Sequence, residues 1–592
     1  MYVCMKFHPR GGAAAAASPE EIPGRHWSLT VTKSLSEGPW YPTVEEHADE
    51  AGYRLFAGRL TQHKAGDPLP AGLNLTAGAA ADWRLDGGEP DGSWLALKFD
   101  RRNDEVSITA DQWVHQRWFY TQRGEDWYFA NSLLFLRRIA GGDLRIERRA
   151  LPYLMVFGYL PGRITPLKGV SSLLPGEVIT VSRGQMRSTS RTQLPVKRSL
   201  TGQTPRDISP QAWSEYTAQI LGTIQEAVRN ELEGVSEIVL PLSGGMDSRF
   251  MLGCALDVLP RERILTYTFG DPRTLDQKIA KALCRKLGLE NVTVAMDRRP
   301  IDEACADGFM HSEGMAFALP NTPLGPDRRA VHKPGAYVLS GILGDVAFGS
   351  RDVNDCDPTH NTDDFLFKRV LAHGYAKEAL PLLAAPHWDE MGYERQVRAT
   401  PGESLIERFD RWAYGTHWVG RLSYHIFVFR DRAFYLAPCI QRKVWDLSLT
   451  LPEAVRQRQR GYFEAMKLGY PQLHAYPTAR NMGLAPGLQS RPLRALLRAW
   501  YGTLNALDDG LWKATGRTWY FDPRQFYGHR HELQQPSYRA AIEECIAYLK
   551  KTPAFDPRGL DALLARYRGR QPISTHILRG LLTAREWERR YA

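Results

Sequence analysis

Apolar and polar positions repeat with two different periods along this chain. Residues 94–99 (WLALKF), 106–109 and 127–130 are short apolar runs, separated by the polar turns Arg101-Arg102-Asn103-Asp104 and Arg123-Gly124-Glu125-Asp126. Short runs bounded by such turns predict the strands of an antiparallel meander. Residues 151–180 predict a helix, a loop, a hydrophobic turn, and a strand opened by Pro175-Gly176. Residues 195–209 are polar, with Pro195 and Pro205, and read as a linker between a domain of residues 1–194 and one of 210–592.

Beyond the linker the period lengthens. In residues 211–232, Trp213, Tyr216, Ile220, Ile224, Val228 and Leu232 fall at helical spacing. Ile238-Val239-Leu240 then reads as a buried strand, followed by Ser243-Gly244-Gly245 and a helical pattern over 249–259. Residues 263–270 and 291–295 predict further strands, with a helix over 276–287 between them and another strand and turn over 337–350. Alternating strands and helices predict a parallel, doubly wound sheet with ligands at the carboxyl ends of its strands. The remainder predicts helices, clearest over 412–446, 452–467 and 492–507.

Composition narrows the picture. A chain of 592 residues exceeds one core and predicts roughly two to four domains. It is 43% hydrophobic and 24% charged, which suits a globular protein. No apolar run reaches the roughly 18 residues of a membrane span, and the alanines of 13–17 lack a secretory apolar core. Seven scattered cysteines without CxxC spacing fit a reducing cytoplasm rather than a disulfide framework. The net charge of +10 is spread, with arginine-rich patches at 491–498 and 566–570. Such patches are usually solvated helix faces, and neither a nucleic-acid nor a membrane partner is expected.

The chemistry concentrates in residues 238–248, IVLPLSGGMDS. A strand, a glycine turn and a helix start together form an anion site, because glycine lets backbone amides approach a phosphate and the helix N-terminus points further amides at it. Ser243 and Ser248 offer hydroxyls, and Asp247 offers a carboxylate for magnesium. The stretch lacks both the GK[ST] ending and the GxGxxG spacing of other nucleotide loops. It resembles instead the PP-loop, SGGxDS, of enzymes that cleave ATP between its α and β phosphates. That resemblance assigns ATP and pyrophosphate to Leu242, Ser243, Gly244, Gly245, Asp247 and Ser248.

The whole chain resembles class B asparagine synthetases. Phe99-Asp100, Arg117-Trp118-Phe119-Tyr120 and Tyr128-Phe129-Ala130-Asn131-Ser132 follow the order of parts in their Ntn-type glutaminase domain. Residues 151–180 resemble their connector, and Ser340, Gly341, Asp345, Phe348 and Gly349 fall in register with SGEGSDExFGG. The resemblance therefore implies two domains: a β-rich glutaminase-like one, then a parallel-sheet ATP pyrophosphatase with a helical extension. It implies that Thr268, Phe269 and Gly270 frame adenine, that Gly341 joins the phosphate site, and that Asp345 is a second magnesium carboxylate opposite Asp247. Arg480, with Lys467 as runner-up, stands for the lysine that family sets against the transition-state phosphates.

Three departures shift the expected activity. A glutaminase of this class uses an N-terminal cysteine whose own amine activates the thiol, yet residue 2 is Tyr2. Cys4 has no free amine beside it and reads as a small buried strand residue. Ile342 replaces the Glu of SGEG, and residues 433–438 hold no Glu, leaving Glu313, Asp431 and His425 as candidate general bases. A synthetase half beside an inactive glutaminase half resembles β-lactam synthetases and, more closely, lasso peptide macrolactam synthetases. The latter imply a precursor peptide as substrate, with a leader peptidase and a leader-binding partner. Ligation of ammonia or a small amine is an alternative, and a PP-loop tRNA-modifying enzyme a more remote one.

Overall fold

The computed structural model describes the chain apart from residues 10–20, 35–40, 62–90, 114–115, 142–143, 191–205, 296–298, 320–325, 350–359, 373, 385–388, 421–428, 480, 486–489, 525–533 and 535. Most of the predicted linker lies outside the described residues.

Two six-stranded sheets form the N-terminal part. The first has the order β10-β8-β9-β1-β3-β2 and contains β1 (Tyr2–Pro9), β2 (Glu21–Pro23), β3 (Trp27–Ser34), β8 (Phe119–Arg123), β9 (Asp126–Ala130) and β10 (Ser171–Ser172). The second, β12-β11-β7-β6-β5-β4, contains β4 (Thr43–Ala48), β5 (Gly52–Leu60), β6 (Gly92–Asp100), β7 (Glu105–Ala110), β11 (Glu177–Ser182) and β12 (Gln185–Ser190). Alternate side chains enter a shared core, with Val3, Met5, Phe7 and Phe129 from the first sheet against Leu55, Leu97 and Ile108 from the second. The predicted strands exist, but not as one meander: β6 and β7 lie in one sheet, β8 and β9 in the other. Asp111 is the reason. Its carboxylate accepts from the Trp113 amide at 2.9 Å, turning the chain, and Trp118 then plugs the core between the sheets.

The outer face of the first sheet packs on the helix α1 (Leu133–Ala140), while α2 (Leu151–Phe157) packs on the C-terminal helix Thr575–Tyr591, and Cys4 and Phe119 share one core with the C-terminal part. Gly158 caps α2 at φ 82°, and Gly176 at φ 64° makes the turn that opens β11. Buried polar contacts also join the two parts: Arg59 pairs with Glu231 at 3.1 Å, and the Trp113 indole donates to the Ile440 carbonyl at 2.7 Å.

The C-terminal part is built on a five-stranded parallel sheet. Its order is β15-β14-β13-β16-β17, with β13 (Ile238–Pro241), β14 (Ile264–Phe269), β15 (Asn291–Val294), β16 (Ala336–Leu339) and β17 (Ala433–Leu436). The helix α3 (Pro210–Leu232) leads in, capped by the Ser209 hydroxyl on the Ala212 amide at 3.2 Å. The chain runs from β13 outward to β15, then returns to β16 on the other side of β13, so the order reverses at β13/β16. Ligand crevices of open parallel sheets form at such a reversal.

The helix predicted over 412–446 is replaced by Leu405–Trp412, a wider turn, β17 and Arg442–Thr450. Residues 433–436 are all buried beside β16, and this place in the sheet overrides their local propensity. The predicted 452–467 helix is likewise broken, at Arg458 and Gln459, both at positive φ.

Candidate active site

Three loops meet at the carboxyl ends of β14, β13 and β16. The first follows β13. The Leu242 amide bonds the Tyr267 carbonyl at 2.8 Å, and the Thr268 hydroxyl donates to the Leu242 carbonyl at 2.8 Å, so Leu242 prolongs the strand. Helix α4 (Asp247–Leu256) then begins, with Asp247 as its first residue. The two serines brace the turn between strand and helix. The Ser243 amide donates to the Ser248 hydroxyl oxygen at 3.1 Å, the two hydroxyls are 3.1 Å apart, and the Gly245 amide donates to the Ser243 hydroxyl at 3.1 Å. Glycine is required at 244 by crowding: a Cβ there would lie 2.9 Å from Asp276 Oδ1 and 3.1 Å from Ala479 Cβ.

The second loop follows β16. Gly341 rests on the first turn of α4, where a Cβ would come within 2.8 Å of Met251 Cγ and 3.1 Å of the Asp247 carbonyl oxygen. Leu343 takes φ 66° and a short helix, Gly344–Ala347, carries Asp345 as its second residue. The Asp345 side chain lies outside the described residues. The third loop follows β14, where Thr268 is buried and Gly270 turns at φ 115° while its amide bonds the Val294 carbonyl at 3.0 Å. The structure therefore gathers Leu242–Ser248, Thr268–Gly270 and Gly341–Asp345 at one end of one sheet.

Two further residues stand in this site that sequence reasoning did not single out. Asp276 lies on α5 (Leu275–Leu287), and its Oδ1 accepts from the Gly244 amide at 2.5 Å. Burial raises its pKa, while that amide and the Arg249 charge lower it, with burial dominant. An acid in the first turn of a helix is a common dipole match, so nothing in the sequence marked this one. Arg249, fully buried in α4, donates to the carbonyls of Gly244 at 3.0 Å, Tyr476 at 3.2 Å and Leu473 at 3.3 Å, and also to Pro477. Burial depresses its pKa to about 10, still far above neutrality. It clamps the loop to residues 473–477, and the Ala479 amide adds a bond to the Gly244 carbonyl at 3.1 Å. Arg480 itself lies outside the described residues, directly after Ala479. Lys467 stands on the helix Arg460–Gly469 with its side chain 58% exposed, paired with Glu464 at 3.5 Å.

Residues 219–543, more than half of the chain and all three loops, match the asparagine synthase family model. The chain belongs to the asparagine synthase family. That membership supports an ATP-dependent carbon–nitrogen ligase of the asparagine synthetase type. No curated protein matches the sequence. Among solved structures it is similar to glutamine phosphoribosylpyrophosphate amidotransferase from B. subtilis, complexed with ADP and GMP, at 10% identity. The likeness covers 55% of this chain and 63% of that one with a TM-score of 0.17, too low to carry an argument.

Within this asparagine synthase fold the candidate bases fall elsewhere. Glu313 is buried with its carboxylate on the N-terminus of α1, accepting from the Leu133 amide at 2.6 Å and from the Ser132 hydroxyl. Asp431 precedes β17 and so sits at the amino edge of the sheet, opposite the loops. A four-residue strand spans roughly 13 Å, which separates it from that crevice. His425 lies outside the described residues.

In the N-terminal part, Cys4 is fully buried in β1 opposite Thr32 and Ala130. Burial pushes its thiol up to about 12, where a nucleophilic thiolate is scarce at neutral pH. The six described cysteines are all buried and unbridged, and no described helix is long and apolar enough to cross a membrane.

Proposed function

We propose that this member of the asparagine synthase family is a macrolactam synthetase acting on a precursor peptide. ATP activates a side-chain carboxylate of the peptide, and the peptide's own N-terminal amine closes the ring. The observation that carries this reading is the pairing of a well-braced Ser243–Ser248 loop with an N-terminal sheet whose Cys4 is buried, its thiol pushed up to about 12. An enzyme without its own ammonia source needs an amine from the substrate, and a peptide supplies amine and acid in one molecule. The glutaminase-like domain of residues 1–194 then serves as scaffold, and the synthetase domain of 210–592 holds the chemistry.

In this reading a carboxylate oxygen of the peptide attacks the α-phosphorus of ATP, and pyrophosphate leaves. The amine then attacks the acyl carbon, loses a proton, and AMP leaves. The Gly244–Asp247 turn and the first turn of α4 face the phosphates, where backbone amides and the helix dipole favour negative charge. Asp276 bonds the Gly244 amide, so ATP and this carboxylate compete for one donor. Thr268, Phe269 and Gly270 border the adenine side, and Arg480, beside Ala479, brings a cation to the α-phosphate. The oxygen donors suit magnesium: Asp247 and Asp345 would hold it together with phosphate oxygens, and it would neutralise charge on the leaving pyrophosphate.

The test is incubation of the protein with ATP, magnesium and a leaderless precursor peptide carrying an internal Asp or Glu. A product lighter by one water, with AMP released in equal amount, supports the reading. AMP formation that requires ammonia and free aspartate, with the peptide untouched, overturns it in favour of asparagine synthesis.

A further inference from the structure

One backbone donor of the turn between β13 and α4 is held by a carboxylate. The Gly244 amide donates to Asp276 Oδ1 at 2.5 Å. Its neighbours bond neutral groups: the Ser243 amide donates to the Ser248 hydroxyl and the Gly245 amide to the Ser243 hydroxyl, both at 3.1 Å. A single N–H cannot serve a carboxylate and a phosphate oxygen together, and two anions at close range repel strongly where water is scarce.

The helix that carries Asp276 is anchored independently of this bond. The Thr274 hydroxyl caps α5 on the Gln277 amide at 3.3 Å, the Leu275 amide donates to the Pro523 carbonyl at 2.6 Å, and the Gln277 side chain donates to the Thr268 carbonyl at 2.6 Å. The Asp276 backbone also lies against the turn, its Cα 3.2 Å from where a Cβ on Gly244 would stand. With the backbone fixed on both sides, the carboxylate leaves the amide by rotation of its own side chain. A second donor stands in the same cluster. Arg249 is fully buried, bonds the Gly244 carbonyl at 3.0 Å, and is the cation whose charge lowers the Asp276 pKa against the larger effect of burial. Its Nε–H is buried and has no acceptor among the described residues. A buried donor without an acceptor is costly, and a carboxylate turned away from Gly244 would satisfy it.

We propose that Asp276 is a gate on the phosphate site: its carboxylate holds the Gly244 amide, turns toward Arg249 when the phosphates of ATP take that amide, and reclaims it as pyrophosphate leaves. Asp276 therefore weakens the hold on nucleotide and pyrophosphate alike and speeds release of the product. The gate presupposes that the Gly244–Asp247 turn receives the phosphates. A carboxylate that merely braced the turn would have the opposite effect, since its loss would loosen the turn and weaken binding.

The experiment is calorimetric titration of the full-length protein with the uncleavable analogue α,β-methylene-ATP and with pyrophosphate, each with magnesium, in the wild type, Asp276→Ala and Asp276→Asn. Loss of the charged competitor should tighten both ligands about tenfold in Asp276→Ala. The gain should be smaller in Asp276→Asn, whose amide oxygen still accepts from Gly244 but carries no charge. Pyrophosphate release followed by stopped flow should slow in the same order. Asp276→Asn, which keeps the shape of the side chain, decides alone if Asp276→Ala does not fold. Equal or weaker binding by the folded variants, with the wild type binding both ligands, overturns the gate and leaves the phosphate turn standing. No binding of either ligand by any of the three proteins overturns both.

Discussion

The Ala479 amide donates to the Gly244 carbonyl at 3.1 Å, laying the segment that leads into Arg480 along the glycine turn. Arg249 fixes this arrangement from beneath, since the same Gly244 carbonyl receives its guanidinium at 3.0 Å. Arg249→Met fills the space but leaves the carbonyls of Leu473, Tyr476 and Pro477 without their donor. The expected cost is about 2–4 kcal/mol in denaturant unfolding, with ATP turnover lost beyond that cost because the turn and residues 477–479 part. Unchanged turnover in a folded Arg249→Met protein would show that the clamp does not serve the site.

Gly341→Ala tests whether the β13 and β16 loops act as one unit. The added methyl would press on Met251 and on the Asp247 carbonyl, shifting the first turn of α4 from the Gly341–Asp345 loop. Turnover is expected to fall on the order of 10- to 100-fold with a change of about 1–2 kcal/mol in stability. Ile342→Ala, one residue on at a partly exposed position, is the control and should keep most activity.

How far the sequence alone reaches is clear from these residues. The loop from Ile238 to Ser248 is legible because strand, turn and helix start are local matters; the strand lies as predicted, and the helix predicted over 249–259 begins two residues earlier, at Asp247. Asp276 and Arg249 are not legible, because their partners are distant: Asp276 lies 32 residues from Gly244, and Arg249 lies 224 from Leu473. The short strand β17 was hidden for a related reason. Ala433-Phe434-Tyr435-Leu436 suits either a buried helix or a buried strand, and only its neighbour β16 decides. Glu313 and Asp431 illustrate the converse, since a carboxylate in the sequence carries no sign of whether it caps a helix or borders a crevice.

Stability should depend on pH through His332. This ring is buried, its Nδ1–H donating to the Arg328 carbonyl at 2.9 Å, with Tyr267, Phe429 and Tyr435 around it. Burial, then the Arg328 charge, depress its pKa from 6.5 to about 3. Between those values the unfolded chain binds a proton that the folded chain does not. Stability is therefore lost as pH falls through this window, by at most about 1.4 kcal/mol per pH unit. His332→Phe should flatten this part of the stability curve measured by urea unfolding from pH 7 to pH 4; an equally steep curve would show that other groups dominate.

The buried thiol gives a fourth test. With Cys4 raised to about 12, the native protein is expected to resist alkylation at that residue near neutral pH and to release no glutamate from glutamine. Cys4→Ser should leave ATP turnover intact and cost about 1–2 kcal/mol of stability, from a hydroxyl placed in an apolar core. Glutaminase activity abolished by Cys4→Ser would contradict an inert N-terminal domain.

In the proposed reaction the Ser243–Ser248 loop splits ATP at its α-phosphate to activate a peptide carboxylate. ATP–pyrophosphate exchange measures that step directly. Exchange in the wild-type protein is expected to depend on the leaderless precursor peptide, to be absent with aspartate plus ammonia or with tRNA, and to be abolished by Asp247→Ala while the fold persists. Full exchange in Asp247→Ala, or exchange that only free aspartate supports, would contradict it.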